Sequence, residues 1–289
     1  MDVRQLQYVL AVVDEGTFTA AATTCSVAQP SLSQSVKSLE RELGVELFLR
    51  VGRRVVLTPA GEAFVPAARA ALRSFQTVRD EVQAVVGLVA GRLDLVALPT
   101  LAIDPVAHMV GAFRRAHPNV MVRLAQPDGS DDLVRSVRNG TADIGITEMP
   151  AATDGLMVQP FARQEIVAVL PPGSRHRRRI TAAQLGALPI VTQPPGTSTR
   201  SLLDITLATA GLAARVAVET DQREAIVPLV LQGAGAALLP RPMADRARDE
   251  GAVVVPLEPP VGRELVLIHR EGVSSPAIRA FLALAGSFA

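Results

Sequence analysis

Leu6, Val9, Leu10 and Val13 recur at helical spacing near the start of the chain and predict one amphipathic helix. Gly16 ends it, and Thr17 can cap the next. The Ala-rich segment 18–25 predicts a short second helix. Pro30 then suits the first turn of a third, whose apolar stripe is Leu32, Val36, Leu39 and Leu43 and whose stop is Gly44. The opposite face carries Ser31, Ser33, Gln34, Lys37, Ser38 and Arg41. Two short helices joined by a tight turn, the second polar and hydrogen-bonding at its N-terminal end, suit the base edges of a DNA major groove. The same spacing also describes a structural three-helix unit with a solvated face.

The next segment favours the first reading. Strand-like stretches 46–50 and 55–58 flank Val51-Gly52-Arg53-Arg54 and predict a hairpin with a basic tip. Arg50, Arg53 and Arg54 would reach phosphates or a narrow minor groove from such a wing. A long helix follows from Pro59, with Phe64, Ala68, Ala71, Phe75, Val78, Val82 and Val85 at alternating steps of four and three. That spacing predicts a two-stranded seam or a helix lying on its own domain. Dimerisation is the favoured reading, because the stripe would otherwise face water. Pro66 is expected to bend the start of this helix. From Arg92 onward short apolar strands alternate with helices, the α/β pattern. The expected division is a DNA-binding unit at 1–58, a linker and dimerisation helix at 59–88 and a regulatory domain at 89–289.

Composition narrows the function. Of 289 residues 48% are hydrophobic and 20% charged, enough for a sizeable core. The net charge is only +1, so contact with a polyanion needs a local patch. Residues 1–58 hold six basic and six acidic side chains, so DNA binding requires the acids to be turned away. Cys25 is the single cysteine, which excludes an intrachain disulfide and a Cys-rich metal site. The four histidines never stand at ligand spacing, and no metal or cofactor is expected. GxSxG, P-loop and GxGxxG motifs are absent, so no enzyme is expected. With no leader-like start and no long apolar run, the chain reads as a soluble cytoplasmic protein with no membrane partner. The run Arg175-His176-Arg177-Arg178-Arg179 reads as a solvated loop.

Ala21-Ala22, Gln29-Pro30-Ser31-Leu32-Ser33, Leu39-Glu40, Leu43-Gly44, Leu47-Phe48, Arg50, Arg53 and Leu57-Thr58-Pro59-Ala60-Gly61 together resemble the N-terminal signature of LysR-type transcriptional regulators. Asn139-Gly140-Thr141-Ala142-Asp143-Ile144-Gly145-Ile146 and Gly233-Ala234-Gly235-Ala236-Ala237-Leu238-Leu239-Pro240 extend the resemblance. It implies a winged helix-turn-helix, a linker helix and a two-lobed α/β effector domain like a periplasmic binding protein. Lobe I would hold about 92–162 and 269–289, and lobe II about 163–268. The implied partners are a double-stranded DNA operator, a small-molecule effector, further copies in a homodimer or homotetramer, and RNA polymerase if the protein activates. Cys25, Ala28 and Gln34 depart from the usual Leu, Ser and Arg. The departure at Gln34 leaves the operator sequence open. No cysteine pair exists for peroxide sensing.

The resemblance and the residues together place Gln29, Pro30, Ser31, Ser33, Gln34 and Lys37 on DNA, with Arg50, Arg53 and Arg54 on the wing. Ligands of open α/β sheets bind beyond the carboxyl ends of strands and at helix N-termini. Thr100, Gln126, Asp128, Thr147, Glu148, Thr197, Ser198 and Thr199 stand at such places and form the expected effector set. The hydroxyl-rich helix start favours an anion, reinforced if Arg200 points inward. Glu148 argues for a mixed-charge ligand such as an amino acid. The competing readings are a cytoplasmic solute-binding protein, which fits the lobes but not the N-terminal helices, and a small α/β enzyme with a fused helical module.

Overall fold

The computed structural model describes residues 1–51, 54–85, 91–175, 178–272 and 275–288. The chain opens with α1 (Val3–Glu15), α2 (Phe18–Thr24) and α3 (Gln29–Leu43). Asp2 and Gln5 form a capping box on α1, and Gly16 closes it in the left-handed conformation at φ 71°. The Thr17 hydroxyl accepts the Ala20 amide at 3.2 Å and starts α2. Val9, Val12, Ala21, Ala22, Leu32, Val36, Leu39 and Leu47 form the shared core. A hairpin of β1 (Phe48–Val51) and β2 (Arg54–Leu57) follows. Phe18 meets Phe48 edge to face at 5.7 Å, which fixes the hairpin on α2.

The Leu57-Thr58-Pro59-Ala60-Gly61 run starts α4 (Pro59–Val85). The Thr58 hydroxyl donates to the Glu46 carbonyl at 2.7 Å and accepts the Gly61 amide at 3.0 Å. Gly61 lies so close to the hairpin that a Cβ there would overlap the Leu47 carbonyl oxygen. Pro66 lies inside α4, which continues through it as one helix.

The structure divides the expected seam. Phe64, Ala68 and Ala71 pack with Leu6 and Leu10 of α1, and Ala68 is buried there. The chain's own head therefore covers Ala68 fully and Phe64 and Ala71 in part. Farther along α4, beyond that cover, Phe75, Val78 and Val82 are 57%, 63% and 67% exposed.

The remaining chain builds two lobes. The first contains β3 (Gly91–Ala97), α5 (Pro99–Leu101), α6 (Ala107–Ala116), β4 (Val120–Ala125), α7 (Ser130–Arg138) and β5 (Ile144–Glu148). Next come β6 (Met157–Leu170), β7 (Ile180–Thr181), α8 (Ala182–Gly186), β8 (Ile190–Thr192), α9 (Ser198–Ala208) and β9 (Val216–Glu219). The chain ends with α10 (Ile226–Leu231), β10 (Ala237–Pro240), α11 (Arg241–Asp249), β11 (Val253–His269) and α12 (Pro276–Ala285). Pro99 opens the short α5 directly after β3, Asp104 breaks the helical path at φ −154° and ψ 124°, and the helix that becomes α6 restarts after it.

The principal sheet has the order β10-β6-β11-β5-β3-β4. Strands β6 and β11 are its axis: they pair antiparallel from Val253↔Leu170 to His269↔Met157, with register shifts between. One end of this ribbon pairs with β5 in lobe I, and the other pairs with β10 in lobe II. Each crossing between lobes therefore happens inside a strand. Leu265, Val266, Leu267 and Ile268 lie in the lobe I core with Leu93, Met109, Phe113 and Phe281. The expected lobe II limit of 268 is thus too late, because the apolar run 265–268 is the lobe I half of a strand that spans both lobes. Two smaller cores lie within lobe II, one containing Leu170 and Leu203, the other Val167 and Val230.

Candidate functional site

Burial of Leu32, Val36 and Leu39 orients α3. It leaves Pro30, Ser31, Gln34 and Lys37 exposed, with Gln29 and Ser33 half-buried beside them. Ala28 offers no side-chain cap to the first amides of the helix. Five of the six acids in this module have internal partners. Asp2 caps α1. Asp14 pairs with Arg69 at 2.5 Å, and Glu42 with the terminal ammonium at 2.6 Å. Glu15 accepts the Thr24 hydroxyl at 2.8 Å, and Glu40 accepts the Leu47 and Phe48 amides at 2.8 and 3.3 Å. A neutral module thereby presents a polar face with Lys37 on it. In the hairpin, Arg50 stands opposite Val55 and Arg54 opposite Val51. Arg53 lies outside the described residues, as do the side chains of Arg50 and Arg54.

The second candidate site lies between the lobes. Arg263 of β11 is 4% exposed and stands opposite Gln164 of β6 in the strand register. A guanidinium carries five N–H donors, and each nitrogen here has partners. Nε donates to Gln164 Oε1 at 2.9 Å, and Nη2 to the same oxygen at 2.5 Å and to the Thr100 hydroxyl at 2.8 Å. Nη1 donates to Glu148 Oε2 at 2.7 Å and to the Ser198 hydroxyl at 2.8 Å. Thr100 comes from α5 just after β3 and Glu148 from the end of β5, both in lobe I, and Ser198 opens α9 in lobe II. Burial pushes the Arg263 pKa down, and the Glu148 carboxylate opposes that shift.

Beside this cluster a cleft of about 380 Å³ is walled by Pro99, Ala102, Ile103, Leu124 and Gln126 on one side and by Asp221, Arg223 and Glu224 on the other. Arg223 Nη2 donates to Gln193 Oε1 at 3.1 Å. Its Nε and Nη1 are buried and have no partner among the described residues. Burial lowers the Arg223 pKa; Glu224 raises it and Arg263 lowers it further.

Of the residues expected from sequence, Thr100, Glu148 and Ser198 converge on Arg263, and Gln126 lines the adjoining cleft. Thr147 is fully buried, with a hydroxyl that has no partner among the described residues. Thr199 is buried in the first turn of α9. The Thr197 hydroxyl donates to the Pro194 carbonyl at 2.9 Å and does not cap the helix. Asp128 is not brought to the cleft: it is exposed in the loop before α7, where its amide donates to Asp132 at 3.1 Å. Arg200 is held by Asp204 and Glu219 at 3.0 and 3.2 Å. Arg263, Gln164 and Arg223 escaped the sequence reading. The one available signal was the charged pair Arg263-Glu264 directly before the apolar run 265–268.

Comparison with known proteins bears on both sites. Residues 3–62 match the family described as bacterial regulatory helix-turn-helix protein, lysR family. Residues 87–288 match the LysR substrate binding domain. The chain is 30% identical to the HTH-type transcriptional regulator YeiE of Escherichia coli, over 96% of this chain and 95% of that one. It is 29% identical to the regulator IlvR of Caulobacter vibrioides, over 98% and 97%. A full-length OxyR variant from Pseudomonas aeruginosa superposes with a TM-score of 0.79 at 26% identity, covering 100% of this chain and 94% of that one. CbnR solved with its target DNA superposes with a TM-score of 0.67 at 22% identity, covering 100% of both, a likeness of fold.

Proposed function

The chain belongs to the LysR family of bacterial transcriptional regulators, and from that premise we propose which of its residues read DNA and which answer the effector. The family consists of regulators rather than enzymes. Among the described residues no helix is long and apolar enough to cross a membrane. Our reading is of a cytoplasmic protein that meets RNA polymerase if it activates.

Gln34 and Lys37 read base edges in the major groove, Gln29, Ser31 and Ser33 support them, and Pro30 sets the entry of α3. The wing arginines Arg50, Arg53 and Arg54 act on the backbone or minor groove. The exposed Phe75, Val78 and Val82 of α4 pair with a second copy, in a homodimer or a dimer of dimers. A small polar effector enters between the lobes. Arg263 is the observation that carries this part, since it joins groups from both lobes in one buried cluster. A ligand shifts the protein only by binding one lobe arrangement more tightly than another. Replacing or loosening those contacts supplies that difference. Arg263 is already neutralised by Glu148, so an acidic group on the effector goes to the free donors of Arg223.

Fluorescence anisotropy with DNA from upstream of the protein's own gene tests the DNA face. Gln34→Ala is expected to lose about 1–3 kcal/mol of discrimination at one operator position while nonspecific affinity holds. Equal binding of every operator variant by Gln34→Ala and the parent refutes base reading there. The α4 seam is tested separately by Phe75→Asp, which places a charge where a partner helix would desolvate it. Sedimentation is expected to show a smaller oligomer and weaker operator binding. An unchanged oligomer removes this role from α4.

A further inference from the structure

The linker helix α4 makes two kinds of contact along its length. Its first half packs on the head, where Phe64, Val65, Ala68, Ala71 and Leu72 join Leu6 and Leu10 in one apolar cluster. Arg69 adds an ion pair to Asp14 of α1 at 2.5 Å. The apolar core of lobe I, by contrast, contains no described residue of α4. A polar cavity of about 420 Å³ separates the two instead, with Leu72, Gln76 and Thr77 on one wall and Ser275 and Ile278 on the other. Polar groups reach across it. Arg279 of α12 donates to Glu81 at 2.8 Å, and the Arg73 guanidinium lies on the turn at Gly140.

Neither contact holds α4 firmly. Glu81 and Arg279 are half-exposed, and ion pairs in water contribute little. Arg73 is in a poorer position. Its Nε and Nη2 are buried with no partner among the described residues. The carboxylates around it are engaged elsewhere: Asp14 by Arg69, Asp94 by Arg92 at 2.7 Å, and Asp143 by the Asp94 amide at 2.9 Å and Arg270 at 3.7 Å. Arg123, a further charge on the cavity wall, is exposed to solvent. Burial first, and then Arg270, push the Arg73 pKa down to about 10, and Asp143 and Asp94 oppose that shift without cancelling it. At neutral pH the group is therefore charged where its surroundings disfavour charge. The backbone nonetheless makes room for it. A Cβ at Gly140 would overlap the guanidinium, and Gly140 adopts φ +69°, a conformation that favours glycine.

We propose that Arg73 and the Gly140 turn form a clasp between α4 and lobe I that is poised to open, so that the DNA-binding head takes two positions relative to the regulatory domain. Closing takes Arg73 out of water and leaves two of its nitrogens without hydrogen bonds; opening returns them to water. A small polar interface between two separately packed bodies permits such a motion. An operator selects the position of the head, because a dimer has to present two recognition helices at half-site spacing. The clasp thus sets operator affinity from within one chain, independently of where the effector binds.

The test reads one distance in the full-length protein. Nitroxides on Gln7→Cys of α1 and Ala116→Cys of α6, in a Cys25→Ser background, report the separation of head and lobe I by pulsed electron resonance. Labelled chains are diluted into unlabelled ones, so that only distances within a chain are read. Two distances are expected in the parent. Arg73→Met removes the unsatisfied donors but keeps a long side chain, and is expected to raise the ratio of short to long distance about fivefold or more. Glu81→Gln is expected to lower that ratio about twofold. Gly140→Ala is expected to abolish the short distance, because its Cβ and the seated guanidinium exclude one another. In an Arg73→Ala background, with no guanidinium to displace, Gly140→Ala is expected to leave the ratio as it was, which separates its effect from a general loosening of lobe I. Operator affinity is expected to move in opposite directions in Arg73→Met and Gly140→Ala. A single distance shared by the parent and every variant overturns the proposal. So does an equal effect of Gly140→Ala with and without Arg73. Loss of the short distance in Arg73→Met overturns it as well, since Arg73 would then be an attractive tie.

Discussion

Arg263→Ala is expected to lower the stability of the effector domain by about 3–5 kcal/mol, the range for breaking a buried pair by removing one partner. The reason is what it leaves behind. Glu148, whose side chain is 15% exposed, loses its counter-ion. The buried hydroxyl of Thr100 and the amide of Gln164 lose their partner at the same time. Urea denaturation with an unchanged m-value measures the loss. Arg263→Met combined with Glu148→Met is expected to recover a substantial part of it, since no lone charge is then buried. If Arg263→Ala is as stable as the parent, the cluster does not hold the lobes.

Phe281→Ala is expected to cost about 3–5 kcal/mol by leaving a cavity in lobe I. Phe281 of α12 is fully buried and meets Phe113 of α6 edge to face, at 5.4 Å and 70°. It anchors the terminal helix over a core that contains Leu93, Met109 and Ile278. Phe281→Leu fills most of that volume and is expected to lose markedly less. Hydrogen exchange separates this from a general loosening: protection falls first in α12 and α6. Equal melting of Phe281→Ala and the parent would mean that α12 adds little to the lobe.

The head of the molecule was legible in the sequence because its signals are local. Caps, stops and apolar stripes at Gly16, Thr17, Pro30 and Gly44 act within a few residues of where they stand. The regulatory domain was legible in its strands but not in their continuity. Pro256, Pro259 and Pro260 interrupt the apolar pattern of β11, so the stretch that enters lobe II and the stretch that returns to lobe I do not read as one strand. The structure absorbs that interruption as a register shift between Pro256 and Val261. The cleft was half legible. Thr100, Glu148 and Ser198 were found because strand ends and helix starts are local features. Arg263 was not, because its role comes from Gln164 opposite it and from three other segments distant in sequence. Arg200 is the reverse case, a charge near a helix start that Asp204 and Glu219 hold by ion pairs. The 4-3 stripe of α4 likewise marks an apolar face without saying what covers each part of it.

The long β6–β11 ribbon also bears on how the chain is made. Strand β5 lies between β3 and β11, so its outer edge has no neighbour until 265–269 have been synthesised and have folded back. Lobe I is the first lobe to leave the ribosome and the last to be completed, because both its last strand and its covering helix α12 come from the end of the chain. Until then β5 presents an open edge of apolar residues, the kind of surface that pairs with other nascent chains. Premature termination within lobe II would therefore leave a sticky fragment with a complete DNA-binding head, rather than a smaller regulator.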